Sequence, residues 1–300
     1  MTTMHVIIYG AGESGQKILR ELTLAPFVPY ESKPFKVLAF ADGNAELWGK
    51  RIGGVEVIAP ENICNYPYDK IIVATLLTTA KKAVQDRLIN ALSVPIEKID
   101  LEYIDAFTKS RYRFLLDQAE IIYTNNINGS VAEVGVWRGD YARYINSYFF
   151  DRDLYLFDTF AEYDSAYDEH DIREDEKRNL CGTLLSDPNV FRDTSIEYVR
   201  SILPYPEKAI FKVGYFPESA SNVDCKFAFV NLDVNLYSTT LKALEFFYPK
   251  MSKGGVILCH DFFSWDVEPG ASIAVKEFCN KYSICYIAIG DRLSVAIIKC

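Results

Sequence analysis

Three side chains with acid–base and metal-ligating chemistry fall in two short segments. Asp233 lies in Asn231-Leu232-Asp233-Val234-Asn235-Leu236-Tyr237, and His260-Asp261 follows Cys259. Two carboxylates and an imidazole suit a divalent cation or a proton-transfer site. Each segment comes after an apolar run, Phe227-Ala228-Phe229-Val230 in one case and Gly255-Val256-Ile257-Leu258 in the other. A short apolar run ending in polar residues reads as a buried strand that delivers side chains to a sheet edge. Two such edges can unite residues 27 positions apart. Taken singly, each of these residues is equally a strand-end turn or a cap.

A third segment raises the group above that reading. Ser130-Val131-Ala132-Glu133-Val134-Gly135-Val136-Trp137-Arg138-Gly139-Asp140 predicts a strand, a turn with two glycines and the start of a helix. The first turn of a helix leaves backbone N–H groups free for a ligand, and glycine lets that ligand approach closely. About 20 residues on, Leu154-Tyr155-Leu156-Phe157-Asp158 is an apolar strand ending in a carboxylate, an arrangement that grips ribose hydroxyls. Spacing alone is a weak signal, since such turns also occur without a nucleoside ligand.

Five motifs in order carry a more specific likeness. They are Glu-Val-Gly-Val-Trp-Arg-Gly at 133–139, Phe-Asp-Thr-Phe at 157–160, Gly-Tyr-Phe-Pro-Glu-Ser at 214–219, Leu-Asp-Val-Asn-Leu-Tyr at 232–237 and His-Asp-Phe at 260–262. Over residues 129–300 the chain resembles the macrocin O-methyltransferase family of S-adenosylmethionine-dependent sugar methyltransferases. The resemblance implies a class I methyltransferase sheet of seven strands, a bound methyl donor, and magnesium or another divalent cation. It implies that Glu133, Gly135, Gly139 and Asp158 hold the donor, that Gly214 and Tyr215 flank its adenine, and that Asp233 and Asp261 place the cation. Residues 285–289 and 294–298 flank Gly290-Asp291 and predict a closing hairpin.

Two positions depart from that family. Relatives carry Asp-X-Asp-Leu-Tyr, the second Asp being the proposed general base, where this chain has Asn235. An amide can orient a hydroxyl but cannot take its proton near neutral pH. The other departure is His260-Asp261 where some relatives have Asp-Asp. Three roles are open to His260: replacement base, ligand to a metal softer than magnesium, or hydrogen-bonded structural residue. As catalytic candidates we take His260 first, as the proton acceptor, with Asp233 and Asn235. The metal candidates are Asp233, Asp261 and His260.

The first hundred residues carry a second plan. His5-Val6-Ile7-Ile8-Tyr9 runs into Gly10-Ala11-Gly12-Glu13-Ser14-Gly15 and then a helical pattern with Ile18, Leu19 and Leu22 on one face. A second strand, 35–41, ends at Asp42, where a dinucleotide fold places the acid that meets a ribose. A third strand is predicted at 71–75 and a helix at 79–92, ending before Pro95. Gly10 to Gly15 and the stretch 49–58 resemble the N-terminal domain of bacterial sugar-nucleotide dehydratases and sugar N-acyltransferases. That likeness implies a nucleotide or nucleotide-sugar ligand held by Gly10, Gly12, Gly15 and Asp42. A degenerate Rossmann domain kept for docking or oligomerisation reads equally well, because Gly-X-Gly-X-X-Gly also serves helix–strand packing alone.

These elements predict an α/β chain of two Rossmann-like doubly wound domains. The first covers 1–105 and the second, the methyltransferase domain, covers 129–300, with a helical connector at 106–128. A length of 300 residues and 49% hydrophobic content suffice for two cores. A net charge of −9 without a basic run argues against a nucleic-acid partner. No apolar segment is long enough for a membrane span, and Gly10 and Glu13 interrupt the N-terminal apolar run of a would-be signal peptide. Seven scattered cysteines without Cys-X-X-Cys read as reduced thiols in a cytoplasm. The long acidic stretch 161–193, with His170 inside it, follows Asp158-Thr159-Phe160 and reads as a substrate lid. The expected activity is O-methylation of a hydroxyl on a sugar, nucleotide sugar or glycan, with a homo-oligomer possible. The competing reading is a sugar-nucleotide-binding scaffold that has lost its chemistry.

Overall fold

The apolar runs read as strands all form strands, and they do so in two separate sheets. The computed structural model describes residues 3–24, 35–75, 78–160, 194–234, 236–263 and 270–300. Asn235 and the expected lid at 161–193, with His170, lie outside the described residues. The chain divides into two units, Met1–Lys109 and Ser110–Cys300.

In the first unit the order along the chain is β1 Met4–Tyr9, α1 Glu13–Leu24, β2 Phe35–Ala41, β3 Arg51–Ile52, β4 Val55–Ile58, β5 Lys70–Val73, α2 Thr78–Asp86 and β6 Ile99–Asp100. The sheet runs β3-β4-β2-β1-β5-β6, parallel throughout except for the β3–β4 hairpin. The strand expected third, at 71–75, is therefore the fifth. The intervening pair turns at Gly53 and Gly54, both at positive φ, a Gly-Gly hairpin signal within a stretch too short to show alternation. Alternate residues of β1 serve opposite faces: Val6 and Ile8 pack with Ile18 and Leu22, whereas Ile7 and Tyr9 pack with Leu88 and Val94. The helix expected over 79–92 is α2 prolonged by a π-helical turn, Arg87–Ala91.

The boundary falls within α3 Asp105–Thr124, and the second unit continues with β7 Ser130–Val134, α4 Asp140–Tyr148, β8 Leu154–Asp158, α5 Ile196–Ile202, β9 Ala209–Val213, β10 Phe227–Leu232, α6 Tyr237–Phe247, β11 Met251–Cys259, α7 Gly270–Tyr282, β12 Tyr286–Ala288 and β13 Val295–Ile298. Its sheet runs β12-β13-β11-β10-β7-β8-β9, with β13 antiparallel to both neighbours and the other pairs parallel. One face packs Ala132, Val134 and Phe157 against Leu244, Phe247 and Phe278, and the other packs Val131, Leu154 and Phe229 against Leu115, Ile122 and Ile145. Both units are thus doubly wound α/β sheets, and the second has the class I methyltransferase arrangement with its closing antiparallel hairpin. The helix expected to connect the domains is α3, and its Leu115, Ala119 and Ile122 are buried in the second unit's core. Among the described residues no helix is long and apolar enough to cross a membrane.

Candidate active site

Strands β11, β10, β7 and β8 are consecutive and parallel, so their C-terminal ends line one edge. That edge receives His260-Asp261, Asp233, the glycine turn and Asp158 in the same order. Two hydrogen bonds carry the ladder past the strands: Asp233 N–H donates to the Val134 carbonyl at 2.9 Å, and His260 N–H to the Leu232 carbonyl at 2.8 Å. The two residues are thereby fixed by backbone pairing before any side chain is considered.

His260 Nδ1 lies 3.0 Å from Asp233 Oδ1 and 3.0 Å from Asp261 Oδ2, yet it makes an aligned hydrogen bond to neither. Ligand atoms of the three residues all lie within 4.8 Å of one another. A ring nitrogen and two carboxylate oxygens gathered this closely at one sheet edge fit a divalent cation. His260 keeps 16% and Asp233 25% of the side chain exposed, which leaves the cluster open on one side. Asp261 has a positive φ of 53°, unusual for a residue with a Cβ. The next residue is pinned, since Phe262 N–H donates to the Leu293 carbonyl at 2.8 Å. Asp291 fixes that hairpin turn by accepting from the Leu293 and Ser294 N–H groups and the Ser294 hydroxyl at 2.9, 2.7 and 2.6 Å.

Behind the cluster a buried polar chain runs from β7 to α3. Asn231 Nδ2 donates to Glu133 Oε1 at 2.8 Å, and one terminal nitrogen of Arg111 donates to Asn231 Oδ1 and to Asp233 Oδ2, each at 3.0 Å. The guanidinium lies 4.1 Å from the centroid of the Tyr141 ring. Burial and the Arg111 charge both push the His260 imidazole down, but Asp233 and Asp261 outweigh them and raise it from 6.5 to about 9. Burial works against the charge of Asp233, yet His260 and Arg111 hold its carboxyl well below the usual carboxylate range. Burial, reinforced by the charge of Asp233, pushes Glu133 well above that range. Glu133 is 1% exposed, so it meets the site through Asn231 and not through its own surface.

The glycine turn is organised by Asp158. Its Oδ2 accepts from the Val136 and Trp137 N–H groups at 2.7 and 2.8 Å, and its Oδ1 from Phe160 N–H at 3.0 Å. Gly135, at φ 82°, has no room for a Cβ, which would overlap the Asp233 carbonyl oxygen and lie 2.8 Å from its carbon. Gly139, at φ 72°, begins α4, and a Cβ there would stand 2.9 Å from Val199. Both glycines are therefore required by neighbouring protein, whereas the sequence suggested room for a ligand. Gly214, at φ 119°, is open, and its N–H donates to the Asp158 carbonyl at 3.0 Å, which brings Gly214-Tyr215 beside the same strand end. Trp137 and Phe160, like Asp261, have positive φ, so three strained residues gather at this edge.

The first unit repeats the device. Asp42 accepts from Ala11 N–H at 2.7 Å and Asn44 N–H at 2.8 Å. Gly15 packs its Cα against the Gly10 carbonyl, while a Cβ at Gly12 would meet nothing within 4 Å. Of the expected ligand glycines here, Gly12 alone faces open space among Gly10, Gly12 and Gly15.

Three participants escaped the sequence reading. Asn231 follows the apolar run in the sequence, yet it lies inside β10 and is 0% exposed, tolerated because both ends of its amide are satisfied. Arg111 is one charged residue among several on the connecting helix, and Asp291 follows Gly290 in the predicted hairpin turn, with no signal in the sequence that either supports the site. Cys259, beside His260, is buried, and that burial pushes its thiol up, away from the nucleophilic thiolate.

Residues 104–287 match the sequence family described as Macrocin-O-methyltransferase (TylF), and residues 2–100 match one described as C2185-like, N-terminal. Among solved structures, the O-methyltransferase NovP is 25% identical with a TM-score of 0.50, over 63% of this chain and 79% of its own. The calicheamicin methyltransferase CalS11 is 18% identical with a TM-score of 0.48, over 75% of this chain and 93% of its own. No curated protein matches.

Proposed function

Because the chain belongs to the macrocin O-methyltransferase family, we propose that its second unit transfers a methyl group from S-adenosylmethionine to a hydroxyl of a sugar, nucleotide sugar or glycan. The observation that carries this reading is the meeting, at one sheet edge, of the glycine turn and the Asp233–His260–Asp261 cluster. Gly135 and Gly139 shape the donor turn, Asp158 fixes it through the Val136 and Trp137 N–H groups, and Glu133 supports the donor side of the site through Asn231. Gly214 and Tyr215 border the same space. Asp233, His260 and Asp261 would hold magnesium or another divalent cation, which supplies a lowered pKa to an acceptor hydroxyl. These residues also orient that hydroxyl in line with the donor methyl, and alignment supplies much of the rate in such a displacement. Should Asp233 and Asp261 alone hold the cation, the His260 imidazole would instead be the acceptor of the hydroxyl proton, since a ring bound through Nδ1 keeps its proton on Nε2 and has no free lone pair.

Calorimetry with S-adenosylmethionine, followed by labelled-methyl transfer to a panel of sugars and nucleotide sugars with and without chelator, tests the reading. We expect donor binding in every case and transfer that the chelator suppresses and added magnesium or manganese restores. Donor binding without transfer to any acceptor under any metal would instead favour a sugar-nucleotide-binding scaffold.

For the first unit we propose a nucleotide or nucleotide-sugar ligand over the Gly10–Gly15 turn, with the open face of Gly12 as its entry. In a thermal-shift screen of the full chain such a ligand should raise the melting temperature. Gly12→Ala adds a Cβ into empty space, so it should fold normally and lose the shift. A screen in which no nucleotide shifts either protein would leave docking as the role of this unit.

A further inference from the structure

We propose that Arg111 is a fixed positive charge built into the candidate cation site, placed to keep a divalent ion loosely held and exchangeable. The inference rests on reading Asp233, His260 and Asp261 as the ligands. Asp233 divides its two oxygens: Oδ1 faces His260 Nδ1 at 3.0 Å, and Oδ2 accepts from Arg111 at 3.0 Å. The guanidinium therefore shares the carboxylate that would ligate the ion, from its opposite oxygen. It arrives from α3, outside the sheet, and only 12% of its side chain is exposed. Its Nε finds no hydrogen-bond partner among the described residues, so the bonds that hold it do not use its full donor set.

Two effects of Arg111 oppose each other. As a hydrogen-bond donor it orients Asp233, which favours cation binding by the small factor of one fixed side-chain rotamer. As a like charge bonded to the very carboxylate that would ligate the ion, in a site mostly withdrawn from water, it would oppose binding far more strongly. The charge effect wins. The guanidinium is also anchored on Asn231, itself anchored on Glu133 at 2.8 Å, and capped by the Tyr141 ring at 4.1 Å, so it is held in place as an ion enters.

Manganese titration of the full-length protein, read by electron paramagnetic resonance of the free ion, tests this. Arg111→Lys keeps the charge and should bind as the natural protein does. Arg111→Gln keeps a donor and Arg111→Met keeps the bulk, and both lose the charge, so each should bind at least about tenfold more tightly. A purely architectural arginine predicts weaker binding in all three. Thermal melts identify variants that fold, and the shorter, uncharged Gln and Met changes give two independent chances of one. Folded Gln and Met variants that bind no more tightly than the natural protein would overturn the inference while leaving the ligand assignment intact. Asp261→Asn should abolish binding. Unchanged manganese affinity in that variant, or no binding by any protein, would instead remove the cation reading and this inference with it.

Discussion

Asp233→Asn should lower methyl transfer at least about a hundredfold, the scale on which loss of one preorganised charge acts in an active site. The substitution preserves shape and removes the carboxylate that faces both His260 and Arg111. Donor affinity should change little, because Asp158 and the glycine turn are untouched. Stability should fall as well, by up to about 3 kcal/mol, since a mostly buried guanidinium loses its counter-charge. The pH dependence has a definite sign. The depressed carboxyl contributes stability that is fully present above its ordinary value of 3.8 and is lost on acidification. The raised imidazole contributes stability that is fully present below 6.5 and is lost as pH rises through about 9. The melting-temperature gap between natural and Asp233→Asn proteins should therefore be widest between those ordinary values, narrow as pH rises through about 9, where the Arg111 pair alone remains, and close on acidification. A gap that does not vary with pH would detach Asp233 from both partners.

The second large effect belongs to Gly135→Ala. A Cβ there meets the backbone of Asp233, not a flexible side chain, and the φ of 82° adds strain of its own. Relief requires the β7 turn or the Asp233 segment to move, so a single methyl should impair donor binding and catalysis together. We expect donor affinity at least about tenfold weaker, with a lowered melting temperature, the cost of forcing a side chain into the left-handed region and against backbone. Normal donor affinity in a folded Gly135→Ala protein would show that the turn and the carboxylate are not mechanically joined.

Much of this site was legible because parallel sheets obey a simple geometry. Apolar runs ending at Asp158, Asp233 and His260 had to finish at one edge once their strands paired in parallel, and they do. The meaning of the glycines was harder to read. Spacing announces a turn, but only the packed chain reveals that Gly135 and Gly139 yield to protein while Gly12 yields to open space. Arg111 was not legible, since nothing in a helix 122 positions upstream declares which way one long side chain points. Asn231 was misplaced because a polar residue at the end of an apolar run looks like the strand's end. It is a member of the strand whenever partners such as Glu133 and Arg111 await it.

Asp42 and Asp158 each give one oxygen to N–H groups of the turn that follows the neighbouring strand and the other to an N–H of their own following turn. Such a carboxylate acts as an internal template: it gives the turn its shape through the chain's own anion, before any outside molecule arrives. The ordering entropy of the turn is then charged to folding and not to association. A ligand entering either turn should find a rigid receptor, with association governed by diffusion and release by the bonds it makes. Removing the template, as in Asp158→Ala, would return that entropy to the binding step and slow capture more than it hastens release.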